Sequence, residues 1–367
     1  MTSGPVGVGV IGAGVISDTY LENLGSFPDI VVHAVGDLRP EVAQVKAETY
    51  GVAVHGGPDA VLSHPDVEIV VNLTIPAAHV EVALAAVAAG KHVWSEKPFA
   101  LDRASGEQLL AAAVEARVRL GCAPDTFLGP GLQAARRVVE SGGIGEPQTA
   151  LTLMQSPGPE SWHPNPAFLF ADGAGPLFDI GPYYLTALVQ LLGPVSSVAG
   201  LASTARATRT IGSGPLAGQE FDVTVPTHVG ALMRFEAGQS AQSIFSFDSP
   251  LARTGFVEIT GTEATLALPD PNTFHGEVRR HGLNGDGWET VASIDSAPGR
   301  GTGVLDLARA IRTGRPHRAS GDLAHHVVDV MASVIESVEV AAFMEVGSTV
   351  EIADVLPDDW DPYAATL

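Results

Sequence analysis

The chain opens with an apolar run, Val6 to Ile11, that breaks at Gly12-Ala13-Gly14 and resumes with helical spacing from Val15. A strand that stops at glycines and restarts as a helix brings bare backbone N–H groups and the positive end of a helix dipole to one point. Such a turn suits a pyrophosphate and commits the chain to an α/β architecture. Gly12, Gly14 and the first helical residues, Val15 and Ile16, are thus the first candidate ligand contacts. The third position of the glycine fingerprint is Ser17, so the turn alone does not decide the ligand. A second apolar run, Ile30 to Gly36, ends at Asp37, roughly where such folds place a carboxylate that accepts hydrogen bonds from an adenosine ribose.

From there to Cys122 the pattern alternates. Val31–Val35, Ile69–Leu73, His92–Trp94 and Arg119–Cys122 read as strands; Pro40–Tyr50, Ala77–Ala89 and Ala104–Ala116 read as helices. Repeated strand, helix, strand order predicts a Rossmann-type, doubly wound parallel sheet. After Gly145-Glu146-Pro147 the texture changes. Thr149–Gln155, Val195–Ala202, Val223–Phe235, Ala241–Phe247, Val257–Thr260 and Thr265–Leu268 are strand-like, with Gly- and Pro-rich connectors such as Gly212–Pro215 and Pro269-Asp270-Pro271. Gly303–Thr313 and Asp322–Phe343 return to helical spacing. The expectation is an N-terminal dinucleotide-type domain over residues 1–123. An α+β domain with an open-faced, mostly antiparallel sheet follows over 124–367, its last helices packing back on the first domain.

A chain of 367 residues exceeds what one core usually supports, in keeping with two domains. Its 42 acidic against 20 basic side chains, a formal net charge of -22, set up a field that repels nucleic acid and anionic membranes. No apolar run is long enough to span a bilayer, and Met1–Val6 lacks the pattern of a signal peptide, so a cytoplasmic protein is expected. The sole cysteine, Cys122, forms no internal disulfide and rules out thiolate metal sites. His325 and His326 are adjacent, hence about 100° apart on a helix, and do not face one ion. No metal site is expected.

In open α/β sheets ligands lie beyond the carboxyl ends of the strands. Four segments qualify here: Gly12–Ser17, Asp37–Arg39, Thr74–His79 and Glu96-Lys97-Pro98. Lys97 is the sharpest candidate, because an ammonium beside a hydride acceptor holds a substrate oxygen and stabilises the charge that builds on it. The competing reading is an exposed Glu96–Lys97 ion pair that merely closes a strand. His79, at a helix start, reads equally as a neutral structural histidine or a cofactor contact. Asp37 repels a 2′-phosphate, and Arg39 can stack on adenine or pair with phosphate, which favours NAD over NADP.

Gly12-Ala13-Gly14, Asp37 and Ala89-Gly90-Lys91-His92-Val93 leading to Glu96-Lys97-Pro98 together resemble the Gfo/Idh/MocA family (glucose–fructose oxidoreductase, inositol dehydrogenase, rhizopine catabolism), over nearly the whole chain. The resemblance implies a Rossmann domain that binds a nicotinamide dinucleotide, with Thr74, Pro76, Glu96, Lys97 and Pro98 among its contacts. It also implies a C-terminal sheet domain that completes the active site and joins subunits into a homodimer or homotetramer. Lys97 would lie near nicotinamide and substrate. The family's Asp-x-Gly-x-His stretch corresponds to Asp179-Ile180-Gly181-Pro182-Tyr183, with tyrosine where histidine is usual. A phenol beside an ammonium can exchange a proton, so Tyr183 and Lys97 form a plausible pair, oriented by Asp179.

Asp179 and Tyr183 share a face if one helix runs from Pro176 with Pro182 inside it; if the helix starts at Pro182, Tyr183 is a packing residue. Trp162-His163-Pro164-Asn165-Pro166 reads as a sugar-stacking loop in which His163 relays a proton, or as an ordinary proline-fixed loop with a half-buried Trp. Asp125 points to the substrate or caps a helix. Arg253 and Arg300 are not singled out by their spacing. These readings converge on an NAD-dependent oxidoreductase that acts on a hydroxyl of a sugar, polyol or glycoside. A rival is a glycosidase that oxidises, eliminates, hydrates and re-reduces on a retained NAD. A nicotinamide-sensing regulator without chemistry is a third reading.

Overall fold

The computed structural model describes residues 3–295 and 298–367. The chain divides into two compact units: Met1–Gly129 with Pro298–His325 and Ile352–Leu367, and Pro130–Ala297 with His326–Glu351.

The first unit carries β1 (Val6–Ile11), α1 (Ile16–Ser26), β2 (Ile30–Gly36), α2 (Pro40–Tyr50), β3 (Val54–Gly56), α3 (Pro58–Leu62), β4 (Ile69–Asn72), α4 (His79–Ala88), β5 (His92–Ser95), α5 (Arg103–Ala116) and β6 (Leu120–Cys122). The six strands are parallel in the order β3-β2-β1-β4-β5-β6. All residues of β1 and β4 are buried, as expected of central strands covered on both faces. The strand order reverses between β1 and β4, the point at which such sheets open a crevice. Helix starts use the expected chemistry: Pro40 opens α2, and Asp102 Oδ1 accepts from Ser105 N at 2.8 Å to cap α5.

In the second unit, α6 (Pro130–Glu140) and β7 (Pro147–Gln155) precede α7 (Gly175–Leu192). The strands β8 (Val195–Ser203), β9 (Thr208–Thr210), β10 (Glu220–Asp222), β11 (His228–Phe235), β12 (Ser240–Ser246), β13 (Arg253–Gly261), β14 (Ala264–Ala267), β15 (Gly276–Gly282) and β16 (Glu289–Ile294) follow. Later in the chain come α8 (Thr302–Thr313) in the first unit, α9 (Gly321–Val340) and β17 (Met344–Glu345). Nine strands form a mostly antiparallel sheet, β16-β15-β14-β13-β7-β12-β11-β8-β17, with β7 and β12 parallel; β9 and β10 form a separate hairpin. Helix α7 packs on the β7, β11 and β12 part of that sheet.

The expected strand Val223–Phe235 starts only at His228, because Pro226 has no N–H to give a ladder. The expected helix to Phe343 stops at Val340, where Ala341 adopts φ 53° and the chain turns into β17. The hairpin β9–β10 and the strands β15 and β16 carry no clear alternation and escape a pattern-based reading. Among the described residues, no helix is long and apolar enough to cross a membrane.

Candidate active site

The turn after β1 is shaped by what its glycines lack. Gly12 has φ 102°, and a Cβ there would lie 2.6 Å from the carbonyl carbon of Leu73, so only glycine lets β1 and β4 close up at the switch point. A Cβ on Gly14 would meet nothing within 4 Å. At the start of α1, Ser17 N and Asp18 N turn back onto the carbonyls of Gly14 and Val15, at 3.1 and 3.4 Å. Asp37 sits at the end of β2, where Oδ2 accepts from Ala13 N and Oδ1 from Arg39 N, both at 2.9 Å. Its carboxylate thereby pins the glycine turn and keeps further lone pairs to spare. Three apolar side chains at the same strand ends stay out in water: Val15 is 91% exposed, Leu38 90% and Ile75 68%. The sequence reading missed Leu38 and Ile75; the signal was a bulky apolar residue in a polar turn. A helix N-terminus, an open glycine and apolar flanks suit the phosphates and adenine of a dinucleotide.

Beyond β4, Thr74 Oγ1 donates to Asn72 Oδ1 at 2.7 Å, and Asn72 Nδ2 donates to the carbonyl of His79 at 2.9 Å. Pro76 begins a single 3₁₀ turn that leads into α4. His79 is not a surface contact: its ring is buried, with Nδ1 2.8 Å from Pro98 O and Nε2 3.0 Å from Thr74 O. A neutral ring has one N–H and so donates to only one of these two carbonyls.

Glu96 is buried as well. Its Oε1 accepts from Tyr20 Oη at 2.8 Å and Oε2 from Lys97 N at 3.1 Å, while Trp94 Nε1 donates to Tyr20 Oη at 3.2 Å. Burial, then the charges of Glu96 and Asp125, hold the Tyr20 phenol well above its usual range, so it remains a donor. Glu96 thus serves the shape of the turn, which carries a cis Lys97–Pro98 bond. Lys97 itself is half-buried at the carboxyl end of β5.

Asp125 is fully buried, and its Oδ2 accepts from Gly301 N and Gly303 N, each at 2.9 Å. It caps the start of α8. Burial pushes its carboxyl up to about 6, against the pull of those two amides and Arg300. Gly303 also leaves the space that Trp94 fills, a Cβ there falling 2.0 Å from the indole.

In the second unit, α7 is one helix from Gly175 with Pro176 in its first turn and Pro182 inside it. Asp179 and Tyr183, four residues apart, therefore share a face; Asp179 is half-buried and Tyr183 is buried. Trp162, by contrast, is 67% exposed rather than tucked in. Its ring meets that of His163 in a T-shaped contact at 5.6 Å between centroids, and His163 meets Phe168 in another at 5.5 Å. His163 Nδ1 accepts from Asn165 N at 3.1 Å, which leaves Nε2 to carry the proton of a neutral ring.

What holds this loop was not visible in the sequence. Arg209, from β9, is buried and donates to Glu160 Oε1 at 2.5 Å, to Pro157 O at 3.1 Å and to Asp248. Gly212 N adds a bond to Glu160 O at 2.8 Å. Away from these segments, His33, His64 and Asp66 bring three potential metal-ligand atoms within 4.8 Å of one another, which the sequence pattern did not suggest. His64 Nδ1 already accepts from Asp66 N there.

Residues 6–123 match the model described as "Oxidoreductase family, NAD-binding Rossmann fold", and residues 132–267 match "GFO/IDH/MocA C-terminal domain". The chain belongs to the Gfo/Idh/MocA oxidoreductase family. Among its relatives, myo-inositol 2-dehydrogenase of Thermotoga maritima is 28% identical over 153 residues, 41% of this chain and 46% of that protein. D-Glucoside 3-dehydrogenase of Escherichia coli is 31% identical over 200 residues, 53% and 56% of the two chains. In these matches this Gfo/Idh/MocA chain spans about half the length of its curated relatives. A solved levoglucosan dehydrogenase, in complex with NADH and L-sorbose, shares the fold with TM-score 0.81 at 22% identity, covering 94% of this chain and 99% of that one.

Proposed function

We propose that this chain is an NAD-dependent dehydrogenase of a hydroxyl-bearing carbon in a sugar, polyol or glycoside. The observation that carries this reading is the placement of the Lys97 turn at the end of β5, in the same sheet whose β1–β4 switch point presents the glycine cradle. Relatives named for inositol and glucoside oxidation support the substrate class.

In this proposal Gly12, Gly14, Val15 and Ile16 hold the diphosphate, Asp37 the ribose, and Arg39, Leu38, Thr74, Ile75 and Pro76 the flanks. NAD, when bound, supplies a hydride acceptor. Lys97 holds the substrate oxygen and stabilises charge on it. Tyr183 exchanges the hydroxyl proton, Asp179 orients it, Trp162 offers a face for a sugar ring, and Nε2 of His163 is a second proton carrier. The carboxylate of Asp37, already fixed by two amides, disfavours a 2′-phosphate, so NAD is preferred to NADP. The large sheet also exposes Leu151, Leu201 and Leu232. Leu232 is level with Gln242, and Gln242 with Leu151, which places these residues on one face suited to a second copy of the chain.

The test is a screen of inositols, aldoses and glycosides that follows both nicotinamide absorbance and sugar products. Net reduction of NAD supports the proposal; aglycone release without net reduction assigns the glycosidase cycle instead, and no turnover on any substrate overturns both. Lys97→Ala is expected to lower kcat by about 100- to 1000-fold while leaving NAD affinity nearly unchanged. Asp37→Ser is expected to raise the preference for NADP over NAD by about tenfold in steady-state kcat/KM, the size of one lost charge interaction; an unmoved ratio removes Asp37 from the ribose site.

A further inference from the structure

The turn that carries Lys97 is tied at its entrance by Glu96 N, which donates to Asn72 O at 2.9 Å, and inside by Lys97 N, which donates to Glu96 Oε2. Its exit is Pro98, which has no N–H, is buried, and is followed by the buried Phe99 and Ala100. The carbonyl of Pro98 needs a donor there, since a buried acceptor without one is costly. The His79 ring meets it at 2.8 Å. The ring's own placement is fixed from behind, because the His79 carbonyl accepts from Asn72 Nδ2 at 2.9 Å.

We propose that His79 is a positioning residue whose Nδ1–H donates to Pro98 O and thereby fixes the backbone from which the Lys97 ammonium reaches substrate. This rests on the role given to Lys97 above. Carbonyl oxygens only accept, and burial makes the ring harder to protonate, so its one proton serves the shorter of the two contacts. A lysine on four rotatable bonds is only as well aimed as its backbone, and a misplacement on the order of 1 Å at a reacting group is worth about 100-fold in rate.

Two variants separate the nitrogens. His79→Asn sets an amide donor near the place of Nδ1 and can still serve Pro98; His79→Gln reaches toward the place of Nε2 and serves Thr74. With the full-length chain, His79→Asn is expected to keep kcat within about threefold, and His79→Gln to lose about 10- to 100-fold, while NADH affinity by fluorescence titration changes little in either. A second readout needs no turnover. Backbone hydrogen exchange over residues 95–101 is expected to quicken in His79→Gln and to stay near wild type in His79→Asn. If the wild type oxidises no sugar or polyol, the role of Lys97 fails while the exchange contrast still judges the tie to Pro98. Equal exchange in both variants, or equal loss of kcat in step with a lower melting temperature, makes His79 a packing residue and overturns the inference.

Discussion

The turn after β1 and the loop that carries Trp162 are held by opposite means. The first is made almost entirely from its own backbone: Gly12 at φ 102°, an open Gly14, the first amides of α1, and one carboxylate, Asp37, on the adjoining strand. The second is an irregular segment that owes its shape to a buried guanidinium from a hairpin far along the chain, with Arg209 bonded to Glu160, Pro157 and Asp248. A ligand site built from local backbone is rigid wherever its strand and helix form. A site built on a distant pin is only as stable as that pin, and its specificity can change without touching the residues that meet the ligand.

Removing the pin is the strongest way to break this contrast. Arg209→Leu leaves Glu160 and Asp248 facing each other in a buried place, and is expected to destabilise the chain by about 3–5 kcal/mol in denaturant titration. KM for the sugar should rise while NADH affinity holds; an unchanged KM would show that the Trp162 loop stands without Arg209.

Asp125 sharpens the comparison from the other side, as a distant contact inside the first unit. Its folded-state value of about 6 lies above the ordinary 3.8, so the folded chain holds this proton more tightly than the unfolded one. The stabilisation is complete below about pH 4 and is lost as pH rises through about 6. Asp125→Asn keeps an oxygen for the amides of Gly301 and Gly303 and removes the titration. The difference in unfolding free energy between wild type and variant should therefore shift against the wild type by about 2 kcal/mol from pH 4 to pH 7, at about 1.4 per pH unit between the unfolded and folded values. A constant difference across that range would rule out the raised carboxyl.

The smallest effect tests the local turn alone. Gly14→Ala meets nothing in the protein, so its melting temperature should be unchanged, while a methyl in the cradle costs roughly tenfold, about 1.4 kcal/mol, in NADH affinity. Unaltered affinity would mean that the diphosphate does not approach this glycine.

The same contrast explains what could be read without coordinates. Gly12-Ala13-Gly14 and Asp37 were legible because a strand, a tight turn and a helix are consecutive, and their order in the chain is nearly their order in space. The continuity of α7 through Pro182 was one of two open readings, since a proline inside a helix is tolerated only when surrounding packing compensates for the lost bond. His79 and Asp125 were ambiguous for a simpler reason. A histidine at a helix start and an aspartate after a strand have many uses, and their partners, Pro98 in one case and Gly301 and Gly303 in the other, are set by packing. Arg209 gave no sign at all, because a lone arginine in a short strand looks solvated until both acids that flank it are brought in.

Sequence by itself determined the parallel α/β half, its glycine cradle, the carboxylate after β2 and the lysine at the end of β5, because apolar periodicity and glycine positions act over a few residues. Only the tertiary structure decided which polar side chains were free to meet a ligand and which were spent on the protein's own amides and carbonyls. That choice depends on burial: a buried polar group must find its partner wherever the fold supplies one, and the distance along the chain to that partner carries no local signature.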